Sequence, residues 1–228
     1  MRLLVLFLAQ FLAVLVAPSL VGLGAPVLLH CAEPIPVEDP APPQVAGKAD
    51  NTSAPAPKAY SLIKNHKPPK PLSKRARTHA WTGFLGPTRN GVSTETQLLK
   101  TWPKTGPAKV WELAAGDGYA SPAIRHPYLV YPHRVGNSVL VECLHAETGQ
   151  QFWQHKFTTA YRDRLGYSSG PRSTPVIDGN RVYIYSAEGF LICLELATGR
   201  KIWKRDLSTE FRVPQGFFGA VGSPLLVG

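Results

Sequence analysis

The side chains best suited to hold a ligand lie in one loop between two strand-rich segments of the sequence. This loop contains Arg162, Asp163, Arg164, Tyr167 and Arg172. A guanidinium group donates hydrogen bonds to carboxylates or phosphates, and a tyrosine offers an aromatic surface with a polar tip. Because binding residues often lie on loops held by a rigid scaffold, we select Arg162, Arg164, Tyr167 and Arg172 as candidate ligand contacts.

Histidines and cysteines make a weaker case for chemistry. His126 and His133 flank a short predicted strand, and two histidines without a partner motif indicate turn or surface positions rather than a metal site. Cys143 and Cys193 occupy equivalent repeat positions, so we expect each to fill a buried site rather than to form a disulfide. No nucleophile motif, phosphate-binding loop or calcium loop is present, so the sequence predicts no metal site and identifies no catalytic residue.

An internal repeat supplies the scaffold for this loop. Thr148, Gly149 and Trp153 recur 50 residues later as Thr198, Gly199 and Trp203. A second marker, Ser-Pro or Thr-Pro, recurs with its prolines at positions 122, 175 and 224. Self-similarity near 50 residues is typical of a solenoid, an array or a propeller.

The content of one period favours a propeller. Asp178-Gly179-Asn180 is a tight-turn signal before a β-rich run from Arg181 to Ser186, and further strands are predicted over Phe190–Leu196 and from Lys201. No helical periodicity occurs in 110–228. The sequence therefore predicts an all-β chain whose β-propeller is built from four-stranded antiparallel blades, with each tryptophan packed against the neighbouring blade.

Residues 81–228 are long enough for about three such blades, whereas a closed ring takes roughly four to eight. We therefore expect an incomplete ring in a partial chain. Trp111 lies 42 residues before Trp153 and is assigned to an N-terminal strand that completes the final blade.

Two segments precede the predicted propeller. Residues 1–32 have one charged residue, Arg2, followed by a long apolar run, which indicates a signal peptide or an uncleaved membrane anchor. Residues 33–80 contain ten prolines and are predicted to be a disordered linker. Seven of the basic residues behind the net charge of +10 lie in 58–77. That stretch is either a solvated tether or a contact with an anionic envelope surface.

The motifs resemble one known family. A Thr-Gly turn followed four residues later by Trp is similar to the repeat signature of the pyrroloquinoline-quinone-like (PQQ-like) family. The closer resemblance is to its exported bacterial subgroup. It is carried by Trp81 to Pro87 with Gly91-Val92-Ser93, and by the runs Gly106 to Trp111, Gly118 to Pro122 and Gly170 to Pro175. This resemblance implies a propeller over 81–228. It also makes Arg172 the first candidate for a ligand or structural contact, with a salt bridge bracing the loop as the alternative.

The resemblance leaves two functions open. The first is a non-catalytic exported binding or scaffold module that presents its propeller face to a protein or small-molecule partner. The second is a quinoprotein-type oxidoreductase, in which PQQ and calcium would be held mostly by residues of a missing C-terminal part. We favour the first function, since this sequence has no adjacent cysteine pair and no calcium-type acidic cluster. A nucleic-acid partner is not expected, because the basic excess lacks a recognisable binding fold. The expected location is periplasmic or extracellular.

Overall fold

The computed structural model describes residues 62–70, 78–96, 98 and 100–227. The predicted export segment and most of the predicted linker lie outside these residues. The described part is all-β apart from one helical turn, and it contains two four-stranded antiparallel sheets of simple meander order. The strands are β1 (Ile63–Asn65), β2 (Trp111–Leu113), β3 (Ala123–Arg125), β4 (Tyr128–Val135), β5 (Ser138–His145), β6 (Gln151–Thr158), β7 (Val176–Asp178), β8 (Arg181–Tyr185), β9 (Phe190–Glu195) and β10 (Lys201–Asp206).

The two sheets are propeller blades, which confirms the predicted fold class. The first blade has the order β3-β4-β5-β6, and the second has the order β7-β8-β9-β10. Parts of two further repeats flank them, namely the β1-β2 pair before the first blade and residues 207–227 after the second. The sheets do not close into a ring, as the sequence predicted.

Local turn chemistry sets the registers within each blade. Asp178 pairs with Arg181 across the two-residue loop Gly179-Asn180, where Gly179 has a φ of +48°. Only glycine adopts such a conformation without steric cost, so this loop reverses the chain tightly. The β8–β9 turn is closed by a hydrogen bond from the Gly189 N–H to the Ser186 carbonyl.

The main core lies between the two blades. Alternate residues of the first blade, including Val130 and Val141, pack against Val182, Ile192 and Leu194 of the second. Burying each of these side chains stabilises the fold by about 1.5–3 kcal/mol. A smaller core covers the other face of the second blade, where Tyr183, Leu191 and Cys193 contact Leu207, Ala220 and Leu226.

The turn glycines contact tryptophans of the preceding repeat. The Trp153 indole N–H donates to the Leu196 carbonyl at 2.7 Å, and a Cβ on Gly199 would lie 2.5 Å from the Trp153 ring. One blade earlier, Trp111 donates to the Ala146 carbonyl at 3.1 Å and its ring covers Gly149 in the same way. Each of these tryptophans therefore packs on the turn of the blade that follows it.

Three remaining members of the repeat pattern occupy comparable places. Thr148 and Thr198 accept hydrogen bonds from backbone N–H groups within their own turns. Trp203 is half-buried, with its ring centroid 6.0 Å from that of Tyr183. The described residues contain no turn of a following repeat against which Trp203 packs.

Two elements differ from the sequence predictions. Strand β1 lies inside the predicted disordered linker and pairs antiparallel with β2, from Ile63 opposite Leu113 to Asn65 opposite Trp111. A single helical turn, α1 (Leu207–Phe211), follows β10; the Asp206 side chain caps it by accepting from the Thr209 N–H at 3.1 Å. Five residues are too few to show helical periodicity. No helix in the described part of the chain is long and apolar enough to cross a membrane.

Candidate functional site

Three connections between successive repeats form the surface that we call the loop face, made of residues 114–122, 159–175 and 212–222. The first two run from the last strand of one repeat to the first strand of the next, and the third follows α1. Backbone contacts join neighbouring connections, since the Tyr119 and Ala120 N–H groups both donate to the Pro171 carbonyl. The four candidate residues predicted from sequence all lie in the middle connection.

Asp163 organises the middle connection. Its carboxylate is almost completely buried and accepts hydrogen bonds from the backbone N–H groups of Leu165, Tyr167 and Ser168 at 3.0–3.1 Å. Burial alone would raise the pKa of Asp163. The three backbone hydrogen bonds and the nearby charge of Arg172 outweigh it and lower that pKa. The loop is therefore folded around an ionised carboxylate.

Arg172 braces this arrangement. Its Nη2 donates to the Asp163 carboxylate at 2.9 Å and to the Ser168 carbonyl at 3.0 Å. The guanidinium also lies between two aromatic rings, 5.0 Å from the centroid of Tyr119 and 4.7 Å from that of Phe218. The salt bridge named as the alternative for Arg172 is thus present, and the same side chain joins all three connections of the loop face.

The other three candidates stay closer to the surface. Arg162 donates to the Asn137 side chain at 2.9 Å and to the Tyr161 carbonyl at 3.1 Å. Arg164 is exposed, and Tyr167 keeps 68% of its surface exposed although its backbone is held by Asp163. Arg162 is therefore committed to structural contacts, whereas Arg164 and Tyr167 remain available to a partner.

Sequence reasoning did not single out most of the exposed aromatic side chains around Arg172. We define the aromatic patch as Tyr119 (58% exposed), Tyr167 (68%), Phe217 (66%) and Phe218 (39%). Its members come from all three connections, and the guanidinium of Arg172 contacts two of them, Tyr119 and Phe218. Large exposed apolar groups that lie together on one face are typical of interaction sites.

A second arginine, Arg134, holds the middle connection of the loop face through hydrogen bonds to its backbone. The sequence analysis did not predict this role. Arg134 is buried, and its guanidinium donates to the carbonyls of Gly136, Tyr161 and Ser169 at 2.6–2.8 Å. Its backbone pairs with Asp117 in both directions. Arg134 therefore fixes both ends of the segment that carries Arg162, Arg164 and Tyr167.

The histidine and cysteine predictions have different outcomes. His126 is exposed in the β3–β4 turn, whereas His133 is completely buried in β4, contrary to the expectation of a turn or surface position. The Gly116 N–H donates to His133 Nδ1 at 2.8 Å, and Nε2 faces the buried Glu142 carboxylate at 3.4 Å. Strand β4 extends past the predicted short strand, which carries His133 into the sheet.

Cys143 and Cys193 are both buried and free, in agreement with the expectation of no disulfide between them. Cys143 belongs to the core between the two blades, and Cys193 belongs to the smaller core on the other face of the second blade. Burial raises the pKa of Cys143 to about 12 and that of Cys193 to about 11, although Arg181 acts in the opposite direction on Cys193.

Side chains that could ligate a metal ion are dispersed over the described residues. The two described cysteines lie in different sheets. Within residues 62–70, 78–96, 98 and 100–227, no three His, Cys, Asp or Glu side chains gather closely enough to hold a metal ion.

Comparisons with known proteins agree with the repeat assignment. A PQQ-type family model, described as outer membrane protein assembly factor BamB, matches residues 137–225. Among solved structures, BamB from Moraxella catarrhalis aligns with 22% identity over 44% of this chain and 27% of its own, with a TM-score of 0.33. None of the curated proteins searched matches this chain.

Two enzymes align over similar stretches. Quinohemoprotein alcohol dehydrogenase from Comamonas testosteroni shows 20% identity over 41% of this chain and 15% of its own, with a TM-score of 0.31. A europium-containing methanol dehydrogenase shows 18% identity over 37% of this chain and 14% of its own, with a TM-score of 0.29. This chain therefore spans less than a third of each of these structures. The matched segment 137–225 contains both Thr-Gly-Trp motifs, so this part of the chain is similar to the PQQ-type repeat that the family model describes.

Proposed function

We propose that this chain is an exported, non-catalytic binding or scaffold module that docks a protein partner on its loop face. The observation that carries the proposal is the aromatic patch around Arg172. Tyrosine, phenylalanine and arginine are enriched in protein interfaces, and a few such side chains commonly supply most of the binding energy. An isolated surface aromatic would need no such explanation.

The rigidity of the patch supports the same function. Asp163 fixes the backbone of Tyr167, and Arg172 holds Tyr119 and Phe218 on either side of its guanidinium. Because the Tyr167 backbone and the Tyr119 and Phe218 rings are held before a partner arrives, binding would cost less conformational entropy. Arg164 would add electrostatic attraction for an acidic group on the partner.

The family match and the amino terminus suggest the cellular setting. The matched family model is described as an outer membrane protein assembly factor, so a role among envelope proteins is consistent with the repeats. The apolar segment 1–32 supports export, with the chain either released into the periplasm or exterior or held by an anchor.

The test is site-specific photo-cross-linking in the native envelope. A cross-linking residue at position 167 should give one adduct of defined mass, and the same residue at position 152 should give none. Phe152 is 43% exposed but lies at the opposite end of β6 from the loop face, which makes it a matched control. Replacing Tyr167 and Phe217 together by serine should weaken association with that partner by roughly tenfold or more. Adducts of equal yield at both positions would contradict the proposal.

A separate experiment addresses catalysis. Pyrroloquinoline quinone with Ca²⁺ is titrated into the full-length protein and followed by absorbance, with alcohol oxidation measured in parallel. We expect no saturable spectral change. Stoichiometric binding accompanied by alcohol oxidation would replace the proposed function by the quinoprotein alternative.

A further inference from the structure

The segment that opens the propeller, residues 81–89, makes contacts that the loop face does not explain. It contains the Trp-Thr-Gly-Phe-Leu-Gly-Pro run, and it lies against the beginnings of three successive repeats. The Trp81 N–H donates to the Ile124 carbonyl at 2.8 Å, and the Ile124 N–H donates back to the Trp81 carbonyl at 2.7 Å. The chain thus forms an isolated antiparallel bridge with β3.

Its next contacts reach the two following repeats. The Ile177 N–H in β7 donates to the Thr82 carbonyl at 2.8 Å. The Arg89 guanidinium then donates to the Leu226 carbonyl at 3.1 Å. Ile124, Ile177 and Leu226 each lie two residues after the proline of a Ser-Pro or Thr-Pro marker, so they are equivalent positions of three consecutive repeats.

These positions lie on the inner edges of the blades. Strands β3 and β7 are the first strands of their sheets, and they contact each other, whereas β6 and β10 are the edge strands at the other side. An edge strand presents unpaired N–H and C=O groups. Residues 81–89 pair such groups at two successive blades and bind a carbonyl of the repeat after them.

The segment is shaped for this path. Gly86 has a φ of +74°, and a Cβ added there would lie 2.7 Å from the Trp81 ring. A Cβ added to Gly83 would lie 3.4 Å from the Val176 side chain. The Gly91 N–H donates to the Leu85 carbonyl at 3.0 Å and closes the turn behind it.

We propose that residues 81–89 form an inner strap, which joins three successive repeats at their inner edges. A ligand approaching between these inner edges would have to displace the strap. This role is independent of the proposed loop-face function, since the two use different surfaces of the blades.

The test is residue-resolved amide hydrogen exchange on the full chain. In a Gly86→Ala variant, the added methyl group displaces the Trp81 ring, and the amides of Ile124 and Ile177 should both exchange roughly tenfold faster. Gly106→Ala is the matched control, because Gly106 has the same φ of +74° but no atom within 4 Å of an added Cβ. Unchanged slow exchange of the Ile177 amide in Gly86→Ala would contradict the strap. So would exchange of the Ile124 and Ile177 amides that is equally fast in Gly86→Ala and Gly106→Ala.

Rapid exchange at Val141 in the blade core would show that Gly86→Ala has lost its fold. In that case a second variant tests the strap. Arg89 is exposed, so Arg89→Ala should leave both blades intact. The strap predicts faster exchange over residues 221–227 in this variant, with Ile124 still protected. Unchanged exchange over 221–227 would show that the strap does not hold the third repeat.

Discussion

The carboxylate of Asp163 shows how a single residue decides whether the loop face has a defined shape. It lies in the segment chosen from sequence for ligand binding, yet its oxygens are occupied by three backbone N–H groups and by Arg172. The arginine chosen as the first candidate is likewise a bracing residue. Under the proposed function, recognition falls to the side chains beside these two residues, chiefly Tyr167 and the rings of Tyr119 and Phe218.

Asp163→Asn should destabilise the middle connection, because one carboxylate oxygen becomes an NH₂ group that faces other donors. Hydrogen bonding lowers the Asp163 pKa in the folded chain, so the stabilisation is fully present above the unfolded value of about 4 and is lost as pH falls through the folded pKa. Urea unfolding at a series of pH values should show a difference between the wild-type protein and Asp163→Asn that shrinks only in acid. Arg164→Gln, an exposed change in the same loop, is the control. A difference independent of pH would contradict this role for Asp163.

At the scale of elements, the contact between a tryptophan and the turn of the next blade is the main directional link between repeats. Trp153→Phe keeps an aromatic ring but leaves the Leu196 carbonyl without its 2.7 Å donor. We expect a loss of about 1–3 kcal/mol in unfolding free energy, measured by urea denaturation. Trp203→Phe should cost less than about 1 kcal/mol, since the described residues hold no such acceptor for Trp203. Equal losses in the two variants would show that the turn contact is not the source of the stabilisation.

The elements that sequence predicted well are those with local signals. The turn at Asp178-Gly179-Asn180 and the β-rich runs after it define β8 and β9 within a residue of their observed ends. Strand β1 gave no such signal. Its three residues lie in a proline-rich segment, and they form a strand because they pair with β2 about 50 residues later. The grouping of Tyr167 with Tyr119, Phe217 and Phe218, and the contacts of residues 81–89 with three repeats, were not predicted for the same reason. Both depend on contacts between different repeats, which the pattern within one repeat does not contain.

For the whole molecule, charge is distributed unevenly along the chain. The formal net charge is +10, and residues 81–228 carry 16 basic and 11 acidic residues, so half of the excess precedes the propeller. Strand β1 holds part of this basic stretch against the blades, since Glu112 pairs with Lys64, His66 and Lys109. The basic stretch therefore starts from a fixed position beside the repeats rather than from a wholly free tether.

Full-length protein should bind vesicles that contain anionic lipid, and added salt should release it, whereas neutral vesicles should retain little. Lys67 and Lys70 are exposed in the described part of the basic stretch. Each lysine near such a surface contributes about 1 kcal/mol, so Lys67→Gln with Lys70→Gln should weaken binding by roughly thirtyfold. The matched control replaces Lys100 and Lys104, which are exposed at the beginning of the propeller segment. If both double variants lost affinity equally, the attraction would arise from overall charge, and residues 58–77 would act only as a tether.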